Sequence, residues 1–295
     1  MRCQRTAAPS GEPLSFPPIF FFKLTSFELG LLLFAIVLGT TALGAFLGSR
    51  VRHLSDSLSE PFGVLQAALL GVVGLILAFG LSLAVSRYED RRAAIVDEAN
   101  AIGTTYLRAQ TLAEPQRTKS LGLLVDYTES AIRLSNFVPG SAPQLAAAAR
   151  EHEIQRQLWA LAGQSLAGAP NASAPRLYVE TLNEMIDAQT THVASLSNRV
   201  PTAVLALEVL GAAIALGLLA AYLAIVGRGV VAVMIASVLV TMLLLVTCDL
   251  DRPTRGLIRV PDKVLTDQLA EMQLPPAATG PTRPVRAADH QIGSL

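Results

Sequence analysis

Four uninterrupted apolar stretches, each long enough to cross a bilayer, limit what this chain can be more than any other feature. They run from about Leu29 to Gly48, Phe62 to Ser86, Val204 to Val226 and Val230 to Thr247. A helix needs roughly 20 apolar residues to cross the hydrocarbon core. Three of the stretches carry no charge, and the third carries one acid, Glu208. A soluble core has room for one such helix, not for four in 295 residues. Charged residues make up only 16% of the chain, against about 25% in a soluble domain. That composition excludes a disordered chain, and a net charge of zero offers no field for nucleic acid, so no nucleic-acid partner is expected.

Basic residues near the span ends set the expected orientation. With four spans, both termini and the segment between spans two and three share one side. That side carries Arg2, Arg5, Lys23, Arg87, Arg91, Arg92, Arg199, Arg252, Arg255, Arg259 and Lys263; the other carries Arg50, Arg52 and Arg228. Eleven against three places the termini and the middle segment in the cytoplasm of a multi-pass inner-membrane protein. No small-residue cleavage signature follows the first span, so it is expected to be retained. Spans three and four are separated by little more than Gly227, Arg228 and Gly229, which predicts an antiparallel hairpin. Span two carries Gly63, Gly71, Gly74 and Gly80, small residues that let helix backbones approach closely in lipid.

The expected fold is all-α: four transmembrane helices with a helical cytoplasmic domain inserted between spans two and three. Residues 1–24 read as a disordered leader, with an aromatic interfacial cluster at Ile19 to Phe22. Spans one and two occupy 25–86, the cytoplasmic domain 87–200, and spans three and four 201–248. A cytoplasmic turn and short amphipathic helix cover 249–273, and 274–295 reads as a disordered tail. Within the middle segment, helical stripes fall at Ile95, Ala99, Ile102 and Tyr106; at Leu121, Leu124, Val125 and Ile132; at Ile154, Leu158 and Leu161; and at Leu182, Ile186, Val193 and Leu196, interrupted by Gln189. The first and last of these helices run directly out of spans two and three and are expected to continue them.

Three segments occur in order between these spans. They are Arg87–Thr104, with Arg87-Tyr88-Glu89-Asp90-Arg91-Arg92 leading to Val96-Asp97-Glu98-Ala99-Asn100-Ala101-Ile102-Gly103-Thr104; Leu182-Asn183-Glu184-Met185-Ile186-Asp187; and Asp249–Val260. Together they resemble the bacterial bestrophin-like integral membrane family, over about Leu29 to Met272. The resemblance marks Glu98, Asn100, Gly103, Asn183, Glu184, Asp187, Asp249, Asp251, Arg252, Pro253, Gly256 and Arg259 as motif positions. It implies a relation to bestrophins, which are pentameric anion channels with four spans and a helical cytoplasmic domain. The acidic calcium-binding cluster that bestrophins carry after their last span is reduced here to Asp249 and Asp251, followed at once by Arg252.

The residues themselves show no catalytic constellation, and no enzyme activity or cofactor is expected. His53, His152, His192 and His290 are scattered, and Cys3 and Cys248 make neither a disulfide framework nor a metal site. Span two offers a stripe of Ile76, Phe79 and Leu83 that would form a hydrophobic constriction in a ring of subunits; packing against other spans or lipid is the plainer reading. Glu208 is a candidate intramembrane acid, or else an acid near the cytoplasmic surface that pairs with Arg199 or reaches the headgroup region. Asp249, Asp251, Arg252, Arg255 and Arg259 form either an ion or anionic-ligand site or a set of ion pairs that lock the turn. Asn100 is a candidate for a hydrogen bond between helices, and Gly103 for a close helix crossing. Two functions remain: a homo-oligomeric channel for an inorganic ion in the lipid bilayer, or a non-conducting scaffold that binds partners through its cytoplasmic helices.

Overall fold

The computed structural model describes residues 24–51, 59–227, 229–252, 254 and 256–278. Of these, 84% are helical and none lies in a strand. The helices are α1 (Ser26–Val51), α2 (Ser59–Ala109), α3 (Gln116–Asn136), α4 (Ala142–Gly168), α5 (Ser173–Ser197), α6 (Thr202–Val226), α7 (Val230–Leu250) and α8 (Lys263–Met272). The chain divides into two compact units, one comprising residues up to 81 with 201–249, the other 82–200 with 250 onward. The expected leader, the interfacial aromatics, most of the tail, Arg228, Arg255 and the motif position Pro253 lie outside the described residues.

The first unit is built from α1, the first part of α2, α6 and α7. Four membrane-length apolar helices are present, the third carried by α6. The start of α1 is set by a reciprocal cap: the Thr25 N–H donates to Glu28 Oε2 at 2.7 Å, and the Glu28 N–H donates to Thr25 Oγ1 at 3.2 Å. α1 and α6 cross at backbone contact. A β-carbon at Gly44 would overlap the carbonyl of Gly217, and one at Gly48 would overlap that of Ala221. Small residues four apart on both helices therefore make the crossing possible. Thr41 and Ser237, both fully buried, share a 2.9 Å hydrogen bond that ties α1 to α7. Ser26 Oγ donates to Asp249 Oδ1 at 2.8 Å, joining the start of α1 to the end of α7. α6 ends on Gly227, whose positive φ of 79° lets its N–H cap the carbonyl of Leu223 at 2.9 Å; Gly229 repeats that conformation at 78°, so α7 follows after three residues.

The glycines of span two behave unequally. Gly63 faces Tyr222 and Gly80 faces Glu208, but Gly71 and Gly74 have open space around them. The two crowded glycines of span two thus meet side chains, and the backbone-to-backbone crossing belongs to spans one and three.

The second unit comprises the rest of α2 with α3, α4, α5 and α8. Its core holds Ile95, Ala99, Ile102 and Tyr106 from α2, Leu124 and Tyr127 from α3, Ile154 and Leu158 from α4, Leu182 and Met185 from α5, and Leu265 and Met272 from α8. Each fully buried side chain of this size contributes about 1.5–3 kcal/mol. The expected stripes hold in α2 and α4. In α3 and α5, Val125, Ile132 and Ile186 sit only at the margin, and Tyr127 and Met185 take the central places. The polar caps explain several joints: Tyr106 Oη donates to the Met272 carbonyl at 2.7 Å, and Thr105 Oγ1 donates to the Thr181 carbonyl at 2.9 Å.

α2 is one helix of 51 residues, about 75 Å long, so span two does continue into the helix that follows it. Span three does not continue the helix before it. α5 ends at Ser197 and α6 begins at Thr202, because Pro201 has no N–H to donate and forces Val200 out of helical geometry. A β-carbon at Gly103 would meet only the amide end of Gln268, on α8. Gly103→Ala is accordingly expected to cost no more than about 0.5 kcal/mol, since that flexible amide can swing aside, and a thermal melt in detergent would show it as a shift of about 2 °C or less.

Candidate functional site

The strongest concentration of chemistry lies inside the second unit. Glu98 on α2 and His192 on α5 are each 1% exposed, and His192 Nδ1 lies 2.6 Å from Glu98 Oε2. A carboxylate accepts, so Nδ1 carries the hydrogen. Tyr127 on α3 donates its hydroxyl to Glu98 Oε1 at 3.2 Å. Glu151 on α4 is fully buried beside them; Gln189 Nε2 donates to its Oε2 at 2.9 Å, and its Oε1 has no partner. Burial, followed by the nearby charge of Glu98, pushes the Glu151 carboxyl up to about 8, against the smaller opposing pulls of Gln189 and Arg133. Burial also lifts the Tyr127 hydroxyl well above its ordinary range.

Of this cluster only Glu98 stands among the motif positions. Sequence reasoning missed Glu151 and His192 as partners, although a signal was present. Leu182, Met185, Gln189, His192 and Leu196 fall at three- and four-residue spacing, so two polar groups occupy the buried face of α5.

The turn after α7 forms a second cluster. Asp251 is fully buried; its Oδ1 accepts the Val200 N–H at 2.8 Å and lies 3.9 Å from Arg91 Nη2. Arg91, also buried, donates Nη1 to the Leu250 carbonyl at 3.1 Å. Burial lifts the Asp251 carboxyl and lowers the Arg91 guanidinium, while the mutual attraction opposes both shifts. Asp251 therefore ties the turn to α2 and to the break before α6. Asp249, by contrast, turns to Ser26. Arg252 and Gly256 are buried, and Arg259 Nε reaches back to the Gly256 carbonyl at 3.2 Å. Among the described residues no group of three or more His, Cys, Asp or Glu is placed to hold a metal ion.

The other motif positions are spread out. Asn100 lies on the exposed side of α2. Asn183, Glu184 and Asp187 are exposed on α5, where Asn183 donates to Asp187 at 3.2 Å one turn on. In span two, Phe79 is 66% exposed, and Ile76 and Leu83 are half-buried. Val73, Leu77, Gly80 and Ala84 form the packed face behind them. Glu208 is 1% exposed, and neither carboxyl oxygen has a hydrogen-bond partner. The carboxyl packs on α2 at Gly80.

A family model described as a bestrophin-like domain matches residues 31–265. The fold is similar to crystal structures of a bacterial bestrophin homolog from Klebsiella pneumoniae. The form phased on zinc gives a TM-score of 0.63 at 15% identity, covering 82% of this chain and 97% of that one. A tryptophan-to-alanine variant of the homolog gives 0.62 at 17% identity, with the same coverage. No curated protein matches the chain.

Proposed function

Since this chain belongs to the bestrophin-like family, we propose that it is one subunit of a ring-shaped ion channel whose axis is lined by the membrane part of α2. The observation that carries this reading is the two-sidedness of α2. One face packs through Val73, Leu77, Gly80 and Ala84; the other leaves Leu65, Val72, Leu75 and Phe79 more than half exposed. Four helices are too few to enclose a pore, so conduction requires several copies around one axis, where the exposed face would meet itself. A ring of Phe79 side chains, flanked by Ile76 and Leu83, would then be a hydrophobic constriction that opens and closes by wetting. The surplus of basic residues on one side supports cytoplasmic termini and a cytoplasmic second unit in an inner membrane. The reading involves no chemical reaction.

The test has two stages. Light scattering of the purified protein, corrected for bound detergent, is expected to give about five subunits, the number implied by the bestrophin resemblance. Liposome flux of Phe79→Ala is then expected to exceed wild type by about tenfold, equivalent to ~1.4 kcal/mol off a dewetting barrier. A monomer or dimer would remove the axis, and unchanged flux would remove Phe79 from it. The absence of any charged side chain along the membrane part of α2 favours a second reading, a non-conducting scaffold acting through the second unit. That reading predicts no flux of any ion together with capture of a defined partner by α3–α5.

A further inference from the structure

We propose that Glu208 is a membrane-embedded proton-binding site that fastens α6 to α2 at Gly80. The geometry points there directly. Glu208 lies seven residues into α6, about 9 Å from its first residue, and is 1% exposed. Both carboxyl oxygens are buried without a hydrogen-bond partner. A β-carbon at position 80 would coincide with Oε1, so only glycine leaves room for the carboxyl to rest on the α2 backbone.

A carboxylate in that position would be an isolated buried charge, which costs several kcal/mol in an apolar surrounding. Something must neutralise it. The neighbours on α6, Leu205, Val209 and Ala212, are apolar, as are Leu77 and Ala84 beside Gly80 on α2. The other titratable groups of this unit whose side chains are described are Glu28 and Arg50 at the ends of α1, Tyr222 on α6, and Cys248 and Asp249 at the end of α7; none bonds to Glu208. A metal cation would need about six oxygen ligands, and this contact supplies two from Glu208 and a helix backbone already committed to its own hydrogen bonds. A proton needs no such shell. The neutral acid keeps one O–H, which can share a backbone carbonyl of α2 in the way serine and threonine hydroxyls do in membrane helices.

Loss of the proton expels the carboxylate from its seat at Gly80 and loosens α2 from α6. The site stands independently of the channel reading; only an effect on conduction would rest on it. The experiment uses the full-length protein in phospholipid vesicles and the lipid-soluble reagent dicyclohexylcarbodiimide, which adds to a protonated carboxyl in an apolar setting. Mass spectrometry of the peptides is expected to find the adduct on Glu208, roughly tenfold more at about pH 6 than at about pH 9. Glu208→Gln is expected to remove that adduct while retaining the wild-type elution volume and melting behaviour, since the amide copies the neutral acid. Gly80→Ala is expected to lower labelling at least severalfold by displacing the carboxyl. No adduct on Glu208 at any pH, labelling indifferent to pH, or protection by sodium or potassium ions at constant pH would each overturn the proposal. The last of these outcomes would point to a cation site instead. Liposome flux as a function of pH, measured separately, bears on the channel reading alone.

Discussion

Gly44→Leu is expected to abolish the wild-type packing of the membrane unit. The position a β-carbon would take at Gly44 already overlaps the Gly217 carbonyl, and one turn on, Gly48 stands in the same relation to Ala221. These are backbone atoms, so no rotamer change relieves the overlap. The helices must separate by about 1 Å or more, and dispersion contacts along the whole crossing weaken with that gap. In lipid no hydrophobic effect between helices compensates, because lipid tails are as apolar as the lost partner. The loss is expected to be about 3 kcal/mol, seen as a melting temperature in detergent lowered by roughly 6–12 °C or as failure to purify a folded species. Gly39, Gly71 and Gly74, which have open space around them, are the controls. Alanine at any of them is expected to leave the melting temperature within about 4 °C of wild type, since the better helix propensity of alanine is worth at most ~1 kcal/mol. Equal sensitivity at Gly44 and Gly71 would show that the crossing does not hold the unit together.

The second large effect is a dependence of stability on pH carried by Glu151. Its carboxyl is raised from an ordinary value near 4.5 to about 8 in the folded protein. Between those values the folded state keeps a proton that the unfolded state releases, so stability falls as pH rises through that window. Below it both states are protonated and the group contributes nothing; above about 8 both are ionised and the penalty is constant. The penalty is on the order of 3 kcal/mol, less than the full shift would give, because a buried cluster relaxes and admits water once charged. Glu151→Gln keeps an oxygen for the Gln189 amide and removes the titration. Its melting temperature should match wild type at about pH 4 and exceed it by roughly 6–12 °C at about pH 9. Parallel pH profiles for the two proteins would refute the assignment.

The sequence was legible where a local rule was strong. The four spans needed only length and absence of charge. The hairpin across Gly227 and Gly229 and the α2 stripe Ile95–Ala99–Ile102–Tyr106 followed from the shortness of the link and from helical periodicity. The three motif segments were enough to expect the family that the match over residues 31–265 establishes. Local rules failed at the end of α5, where continuity with span three looked natural but Pro201 breaks it. Nor do they single out the crowded positions: a run of glycines in span two is conspicuous by count, yet only a partner helix decides which of them is crowded.

What the sequence determined by itself is therefore the set of elements and their solvent. Hydropathy and periodicity are properties of contiguous residues, so membrane helices, amphipathic helices and turns can be read along the chain. What only the tertiary structure decided is which polar groups meet. Glu98, Glu151 and His192 lie on three helices and come together through packing, and Glu208 finds Gly80 more than a hundred residues away. The free energy of a buried charge depends on the few atoms around it, and no spacing rule along one strand of sequence specifies atoms contributed by another.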